Sequence, residues 1–370
     1  MLLTGSYGRP AYALIMARSA AHARSQARVS DVCDHVVDAR TLRQQVLAEI
    51  AHVIEFDAYV WLLTDPETSV GSAPLADVPS PLLPLLPRLI GLKYLTKVNR
   101  WTTLGPSAAS LYQSTSGDLT RSRLWRELLG SYGVVDMASC VFRDRFGCWG
   151  FLDLWRTSPG THFTTPATTY LTSIIEALTK GLRRCQANTF AAGSTDHQRR
   201  TGPVVLLLSP ELQVLGQTPE THEYLQVLVP PPDGRAPIPA SAYNVSAQLL
   251  AVEADVDNNP PSARAYLCEG LWVSLRAARI REAEPASQSN IAVTIEQTSP
   301  AERVSLFGRA FGLSAREIEL LSHLVTGADT RELAHRMFLS EHTVQDHLKS
   351  IFSKTSTHNR PSLLSRALGT

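Results

Sequence analysis

The strongest constraint on this chain lies near its C-terminal end, where four short amphipathic helices follow one another. Each begins at a short polar residue, which favours helix N-termini because its side chain can accept a free backbone N–H of the first turn. These residues are Ser314, Asp329, Ser340 and Asn359. Only Phe338 and Leu339 separate the second helix from the third. Four short helices with so tight a turn predict a helix-turn-helix arrangement.

The third of these helices, predicted from Glu341 to Thr355, has an unusual polar face. Val344, Leu348 and Ile351 recur at the spacing of one buried helix side. A solvated face is usually a blend of Glu and Lys, but here an imidazole, an amide, a carboxylate and an amine stand within about two turns. These polar residues are His342, Gln345, Asp346, Lys349 and Ser353. The pattern favours a surface that contacts another molecule.

Several motifs in this segment carry a resemblance to one known family. They are Leu313-Ser-Ala-Arg-Glu-Ile-Glu-Leu-Leu321, Gly327-Ala-Asp-Thr-Arg-Glu-Leu-Ala334, Leu339-Ser-Glu-His-Thr-Val344, His347-Leu348 and Asn359-Arg360. Together they resemble the LuxR-type (GerE-like) DNA-binding domain, without a gap, over residues 312–369. The chain departs from the usual pattern at Gln345, where lysine is usual, and at Asp346, where an apolar residue is common. Lysines common in the second helix appear here only as Arg331.

The resemblance implies that the third helix lies in the major groove of double-stranded DNA. Its base-contacting residues would be Gln345, Asp346 and Lys349. Glutamine pairs with adenine in bidentate fashion, aspartate accepts from cytosine N4, and lysine donates to guanine. The residues that the resemblance assigns to the DNA backbone are Arg331, Thr343, His347 and Lys354. The alternative is a degenerate helical domain that is used for protein contacts.

The charge of this segment is weak for a DNA-binding surface. Residues 314–370 contain seven Lys and Arg and six Asp and Glu, a net charge of +1, and the whole chain is also +1. Since phosphate attraction grows with the number of basic contacts, we expect low affinity from a single domain. Binding should therefore need a homodimer on two half-sites. By resemblance, the dimer contacts are Leu363, Leu364 and Leu368 of the fourth helix.

The rest of the chain is long enough for further domains, because 370 residues exceed one ordinary core. Two strands joined by a turn are predicted at Met137–Asp144 and Cys148–Trp155. A hairpin is predicted to follow at Val204–Leu208 and Leu212–Leu215, with three more strands between Arg264 and Glu296. These patterns predict two α+β units in series, each built on a small antiparallel sheet.

The first unit resembles the GAF-like sensor region of certain actinobacterial LuxR-type regulators, on Arg100-Trp101, Trp125, Asp144 and the segment 147–152. The second resembles the PAS-like unit that often follows. Such domains sense a small molecule or mediate dimerisation. The expected fold is therefore multidomain, with two α+β sensor domains and an all-α four-helix LuxR-type helix-turn-helix domain. The predicted boundaries are a flexible leader at 1–30, the GAF-like domain at 31–190, the PAS-like domain at 203–298, a linker helix at 299–312 and the DNA-binding domain at 313–370.

Other function classes find little support in the sequence. The motifs GxSxG, HExxH, GxGxxG and the P-loop are all missing, so an enzyme that uses the GAF-like pocket has only the size of the sensor half in its favour. No cofactor is expected. The five scattered cysteines predict reduced thiols in the cytoplasm and no metal site, although Cys140 and Cys148 could face each other across their hairpin as buried thiols or as a redox pair.

The predicted partners are double-stranded DNA, a second copy of the chain, RNA polymerase and an unknown small-molecule effector. No apolar run approaches the ~18 residues of a membrane span, so a membrane is not among them. Four tryptophans could line an effector pocket, but core packing is the favoured interpretation because sheet faces favour aromatic side chains. They are Trp101, Trp125, Trp149 and Trp155.

Overall fold

The computed structural model describes residues 9–190, 204–221, 239–268, 271–280 and 289–369. The sequence also predicts a polar linker at 194–202 and a proline-rich loop at 230–237, and both lie outside the described residues. Within the described part, two antiparallel sheets of an N-terminal α+β region are followed by a helical C-terminal domain. The coarse fold class predicted from the sequence is therefore confirmed.

The first sheet has the strand order β2-β1-β5-β4-β3. Its strands are β1 (Ala58–Thr64), β2 (Gly71–Asp77), β3 (Ala109–Ser110), β4 (Asp136–Asp144) and β5 (Gly147–Arg156). The predicted β4–β5 hairpin is confirmed, but its register pairs Cys140 with Leu152 and Cys148 with Arg143. The expectation that the two thiols face each other was therefore wrong. Trp149 and Trp155 are buried in the packed core, as favoured, at 1% and 2% exposure.

Helices cover both faces of this sheet. They are α1 (Arg9–His35), α2 (Ala39–Ala51), α3 (Leu86–Leu95), α4 (Leu111–Ser114), α5 (Arg123–Glu127) and α6 (Thr165–Asn188), with 3-10 turns at Ser80–Leu85, Leu119–Arg121 and Leu129–Tyr132. The leader predicted at 1–30 was wrong for the residues from Arg9 onward, which belong to α1. Ser25, Val29 and Cys33 are buried at four-residue intervals, and the Ser25 hydroxyl lies 2.8 Å from the Tyr170 hydroxyl of α6. So narrow and partly polar a stripe leaves little periodic signal in the sequence.

The second sheet has the order β7-β6-β10-β9-β8, which repeats the order of the first sheet. Its strands are β6 (Val204–Leu208), β7 (Val214–Gln217), β8 (Ser262–Cys268), β9 (Leu271–Arg279) and β10 (Ile291–Gln297). The predicted hairpin is confirmed, although its second strand begins at Val214 and not at Leu212, and the three later strands are also confirmed. Helix α7 (Ala240–Glu253) was not predicted. Every residue from Ala240 to Gln248 is buried, between this sheet and the α3–β2 side of the first unit, and a helix without a polar face shows no amphipathic period.

The C-terminal part begins with the predicted linker helix, α8 (Pro300–Ala310), which starts at a capping box of Ser299 and Glu302. Four helices follow: α9 (Ala315–Val325), α10 (Thr330–Met337), α11 (Glu341–Thr355) and α12 (Arg360–Leu368). The cap predictions at Ser314, Asp329 and Ser340 are confirmed. The turn between α10 and α11 passes through Phe338, whose φ of 55° lies in the left-handed region. The four-helix, helix-turn-helix prediction is therefore confirmed.

Candidate nucleic-acid interface

Helix α11 is fixed in the domain by its apolar side. Ser340 caps its N-terminus by accepting the backbone N–H of Thr343 at 3.1 Å. Val344, Leu348 and Ile351 are buried at 2% exposure or less, as predicted. Because the inward side is fully used for packing, the opposite side of α11 faces outward and is available for another molecule.

An internal ion pair locks α11 against α9. Both carboxylate oxygens of Glu317 accept from the Lys354 ammonium, at 2.8 and 2.7 Å, and Ser350 donates to the same carboxylate at 2.6 Å. Burial alone would raise the pKa of Glu317, but the hydrogen bonds from Lys354, Ser350 and Ser314 lower it to about 2. Lys354, which was predicted to contact phosphate, thus has an internal partner in Glu317, and its contact with DNA stays a prediction.

The predicted base-contacting residues lie together on the outward side. Gln345, Asp346 and Lys349 are all exposed. The Asp346 carboxylate lies 3.4 Å from the Lys349 ammonium and 3.6 Å from Nε2 of His342. Ion pairs this exposed contribute little to folding because water solvates both charges. These side chains are therefore free to exchange their present partners for those of a ligand.

The remaining backbone-contact candidates lie on α10 and α11. Arg331 is exposed on the first turn of α10. Thr343 and His347 are half-buried at the edge of the α11 face, and the Thr343 hydroxyl lies 2.9 Å from that of Ser340. Their contacts with DNA stay predictions.

Two further residues beside the face had no role in the sequence analysis. The Arg360 guanidinium donates to the Thr330 hydroxyl at 2.7 Å, and Gln345 Nε2 lies 3.5 Å from the same oxygen. Arg360 belongs to a motif of the resemblance, which was the only sequence signal at this position. The contact itself joins positions 30 residues apart in the chain, so no local pattern shows it.

The fourth helix of the domain packs against α8. Leu363 and Ala367 are fully buried, and the Arg303 side chain of α8 donates from Nε to the Ala367 carbonyl at 3.0 Å. Leu363, predicted as a dimer contact, therefore belongs to the core of its own chain. Leu364 and Leu368 are half-buried, so the dimer prediction is narrowed to these two residues.

Helix α8 in turn is bound by both N-terminal units. Arg264 of β8 forms a buried ion pair with Asp65, which follows β1, at 2.6 and 2.7 Å. The same guanidinium donates to the Glu302 carbonyl of α8 at 3.0 Å. Arg309 at the other end of α8 donates to the Phe146 carbonyl at 2.9 Å. A shift between the two units would thus reach α8 through direct contacts.

Comparison with known proteins matches residues 312–367 to the family model described as GerE, "Bacterial regulatory proteins, luxR family". The C-terminal segment is a LuxR-type helix-turn-helix domain. Two curated relatives are 42% identical over 55 residues: the "Probable csgAB operon transcriptional regulatory protein" of Salmonella typhimurium and the "CsgBAC operon transcriptional regulatory protein" of Escherichia coli. Each match covers 15% of this chain and 26% of the relative, so the chain spans about a quarter of the length of these relatives.

Solved structures with a likeness to this chain include Escherichia coli SdiA and Vibrio cholera VqmA. The crystal structure of Escherichia coli SdiA gives a TM-score of 0.33 at 12% identity, over 91% of this chain and 93% of SdiA. A Vibrio cholera VqmA–ligand–DNA complex gives a TM-score of 0.22 at 18% identity, over 46% of this chain and 84% of that chain. At these TM-scores neither likeness defines the arrangement of the N-terminal units.

Among the described residues, no group of three or more His, Cys, Asp or Glu side chains is arranged to hold a metal ion. No described helix combines the length and the apolar character that crossing a membrane requires.

Proposed function

We propose that this chain is a sequence-specific DNA-binding transcriptional regulator that acts as a homodimer in the cytoplasm. The observation that carries the proposal is the outward face of α11 within a LuxR-type domain. That face presents Gln345, Asp346 and Lys349, and none of them is needed for packing. Amide, carboxylate and ammonium groups are the side chains that read adenine, cytosine and guanine edges in the major groove.

The backbone contacts in this proposal come from Arg331 on α10 and from Thr343 and His347 at the edge of the reading face. The net charge of +1 over residues 314–370 supplies little long-range attraction. Two domains on two half-sites add their contacts, so a dimer through Leu364 and Leu368 explains how such a domain reaches useful affinity. RNA polymerase would be the partner through which bound protein changes transcription.

The two N-terminal units, GAF-like and PAS-like in this proposal, would sense a small molecule and pass the change to α8. Support comes from the ion pair of Arg264 and Asp65 and from the hydrogen bond of Arg264 to α8. Only Phe311, Gly312 and Leu313 lie between α8 and the cap of α9. So short a connection transmits a movement where a long Gly/Ser-rich tether would absorb it.

DNA capture with the full-length protein tests the proposal. Genomic fragments bound to the purified chain would be recovered and sequenced, with Lys349→Ala and Arg316→Ala as matched variants. Each variant removes one exposed positive charge from the same domain, but Arg316 lies on α9 and pairs with Glu319. We expect two-fold symmetric sites to be enriched by the wild type and by Arg316→Ala, and to be depleted with Lys349→Ala.

Two other results would count against the proposal. Recovery of fragments without any shared sequence would favour the alternative of a protein-interaction domain. If single, unpaired half-sites were enriched, the protein would still read DNA sequence, but the homodimer would be contradicted.

A further inference from the structure

We infer that Thr330 and Arg360 orient the amide of Gln345, and that this orientation gives the α11 face a preference for adenine at one base pair of each half-site. The inference rests on the proposed function, because it assumes that Gln345 reads DNA. Thr330 and Arg360, on two other helices, are then positioning residues, and adenine is the base that they select.

Three helices meet at the Thr330 hydroxyl. Thr330 is the first residue of α10, Arg360 is the first residue of α12, and Gln345 lies on the second turn of α11. The Arg360 guanidinium donates to Thr330 Oγ1 at 2.7 Å, and Gln345 Nε2 lies 3.5 Å from that oxygen, at the outer limit of a hydrogen bond. Arg360 and Thr330 are half-buried, whereas Gln345 is exposed. The two inner residues therefore provide a fixed point beside an exposed reading group.

The chemistry of the amide links this contact to one base. A glutamine amide has two N–H donors on nitrogen and one acceptor oxygen. When one N–H is directed to Thr330 Oγ1, the other N–H and Oε1 remain for the DNA. Adenine presents an N7 acceptor beside an N6 donor in the major groove, so it matches one donor and one acceptor side by side. A guanine presents two acceptors, N7 and O6, and does not match that pair.

The same contact connects base reading with the fourth helix. Arg360 begins α12, and the predicted dimer contacts Leu364 and Leu368 lie one and two turns further along. A change in the position of α12 would thus move the guanidinium that holds Thr330. Arg360 also places a positive charge next to the reading face of a domain whose net charge is low.

Selection of binding sites from random-sequence DNA by the full-length protein tests the inference. The variants are Thr330→Val, which replaces the hydroxyl by a methyl group of similar size, Thr330→Ser, which keeps the hydroxyl, and Gln345→Ala. We expect the wild type to select adenine at one position of the site, and we expect the Gln345→Ala protein to show no base preference at that position. Thr330→Val should lower that adenine preference by about tenfold, within the range of one bidentate contact, and Thr330→Ser should retain it.

A double variant separates positioning from a general loss of stability. In the Gln345→Ala background, Thr330→Val should leave the selected sequence unchanged, because no amide remains to be oriented. If Thr330→Val instead lowered the affinity of the Gln345→Ala protein for all DNA sequences alike, the effect of Thr330 would be structural, and the inference would be overturned.

Two further outcomes would also overturn it. One is a Thr330→Val protein that selects the same adenine as strongly as the wild type. The other is selection of guanine at the position that depends on Gln345. Pairing with the two acceptors of guanine needs both amide N–H groups, so the amide would have to direct Oε1, and not Nε2, towards Thr330. A wild type that selects no sequence at all would contradict the proposed function itself, which keeps the two failures distinguishable.

Discussion

The ion pair between the two N-terminal units and the ion pair on the α11 face contain the same kinds of groups in opposite environments. Asp65 and Arg264 are 1% and 7% exposed and are joined by bonds of 2.6 and 2.7 Å. Asp346 and Lys349 are 55% and 74% exposed and lie 3.4 Å apart. A buried charge needs its partner, because water cannot reach the site to take the partner's place. An exposed charge is solvated by water and can change partners at little cost. The difference separates groups that hold the architecture from groups that are free to bind.

The largest expected effect comes from the buried side of this comparison. Asp65→Ala leaves the Arg264 guanidinium buried without its principal partner. We expect the free energy of unfolding to fall by about 3–5 kcal/mol, measured by urea denaturation of the full-length protein. Glu67→Ala is the matched control, because Glu67 contacts the same guanidinium at 2.9 Å but is 47% exposed. If the two variants lost the same free energy of unfolding, burial would not determine how strongly each carboxylate binds Arg264.

Glu317 and Lys354 form an intermediate case, since the carboxylate is buried and the ammonium is partly exposed. Glu317→Gln should lower the free energy of unfolding by about 1.5–3 kcal/mol at neutral pH, the range for hydrogen bonds to charged groups. The pKa of Glu317 is lowered from 4.5 to about 2 in the folded state. Its contribution is therefore complete above pH 4.5 and is lost as the pH falls towards 2.

The measurement is the difference in unfolding free energy between wild type and Glu317→Gln across that pH range. We expect the difference to shrink steadily as the pH is lowered. A difference that stays constant down to pH 2.5 would mean that the charge of Glu317 has no part in holding α9 to α11.

On the exposed side, Lys349→Ala should weaken specific DNA binding by about 1–3 kcal/mol, the value of one good base contact. Folding should be unchanged within about 0.5 kcal/mol, because surface substitutions rarely exceed that amount. Gel shifts on a captured site and urea denaturation measure the two quantities on the same protein. If the Lys349→Ala protein kept wild-type affinity and sequence preference, the outward face of α11 would not be the surface that contacts the DNA groove.

Asp346→Asn, which keeps the shape of the side chain and removes its charge, should also have only a small effect on stability. The exposed pairs with Lys349 and His342 should contribute less than about 1 kcal/mol to folding. Non-specific DNA binding should become slightly tighter, because one negative charge is removed from a surface that approaches phosphates. A marked loss of thermal stability would show that these pairs belong to the architecture after all.

The sequence predicted those parts of the fold that depend on neighbouring residues. The caps Ser314, Asp329 and Ser340 and the buried stripe of α11 were correct because helix starts and faces are local properties. Helix α7 was missed because burial on all sides removes the period that reveals a helix. The ion pair of Asp65 and Arg264 joins positions 199 residues apart, and no local pattern contains it.

The same limit applies to the candidate site. The grouping of Gln345, Asp346 and Lys349 follows from helical spacing, and the structure places them together. The sequence assigned Lys354 to DNA phosphate because its partner Glu317 lies far away along the chain. It assigned Leu363 to the dimer contact because helix α8, against which the fourth helix packs, is equally remote in sequence. Thr330 and Arg360 had no predicted role for the same reason.

The central claim is that the exposed face of α11 reads DNA sequence, and a specificity ratio measures this most directly. The full-length protein would be titrated with a captured genomic site and with a shuffled fragment of the same composition, at several salt concentrations. We expect the captured site to bind at least about 10³-fold more tightly, and this ratio to collapse when Gln345 and Lys349 are both replaced by alanine. Equal affinity for the two fragments, or a ratio that survives the double replacement, would contradict the account.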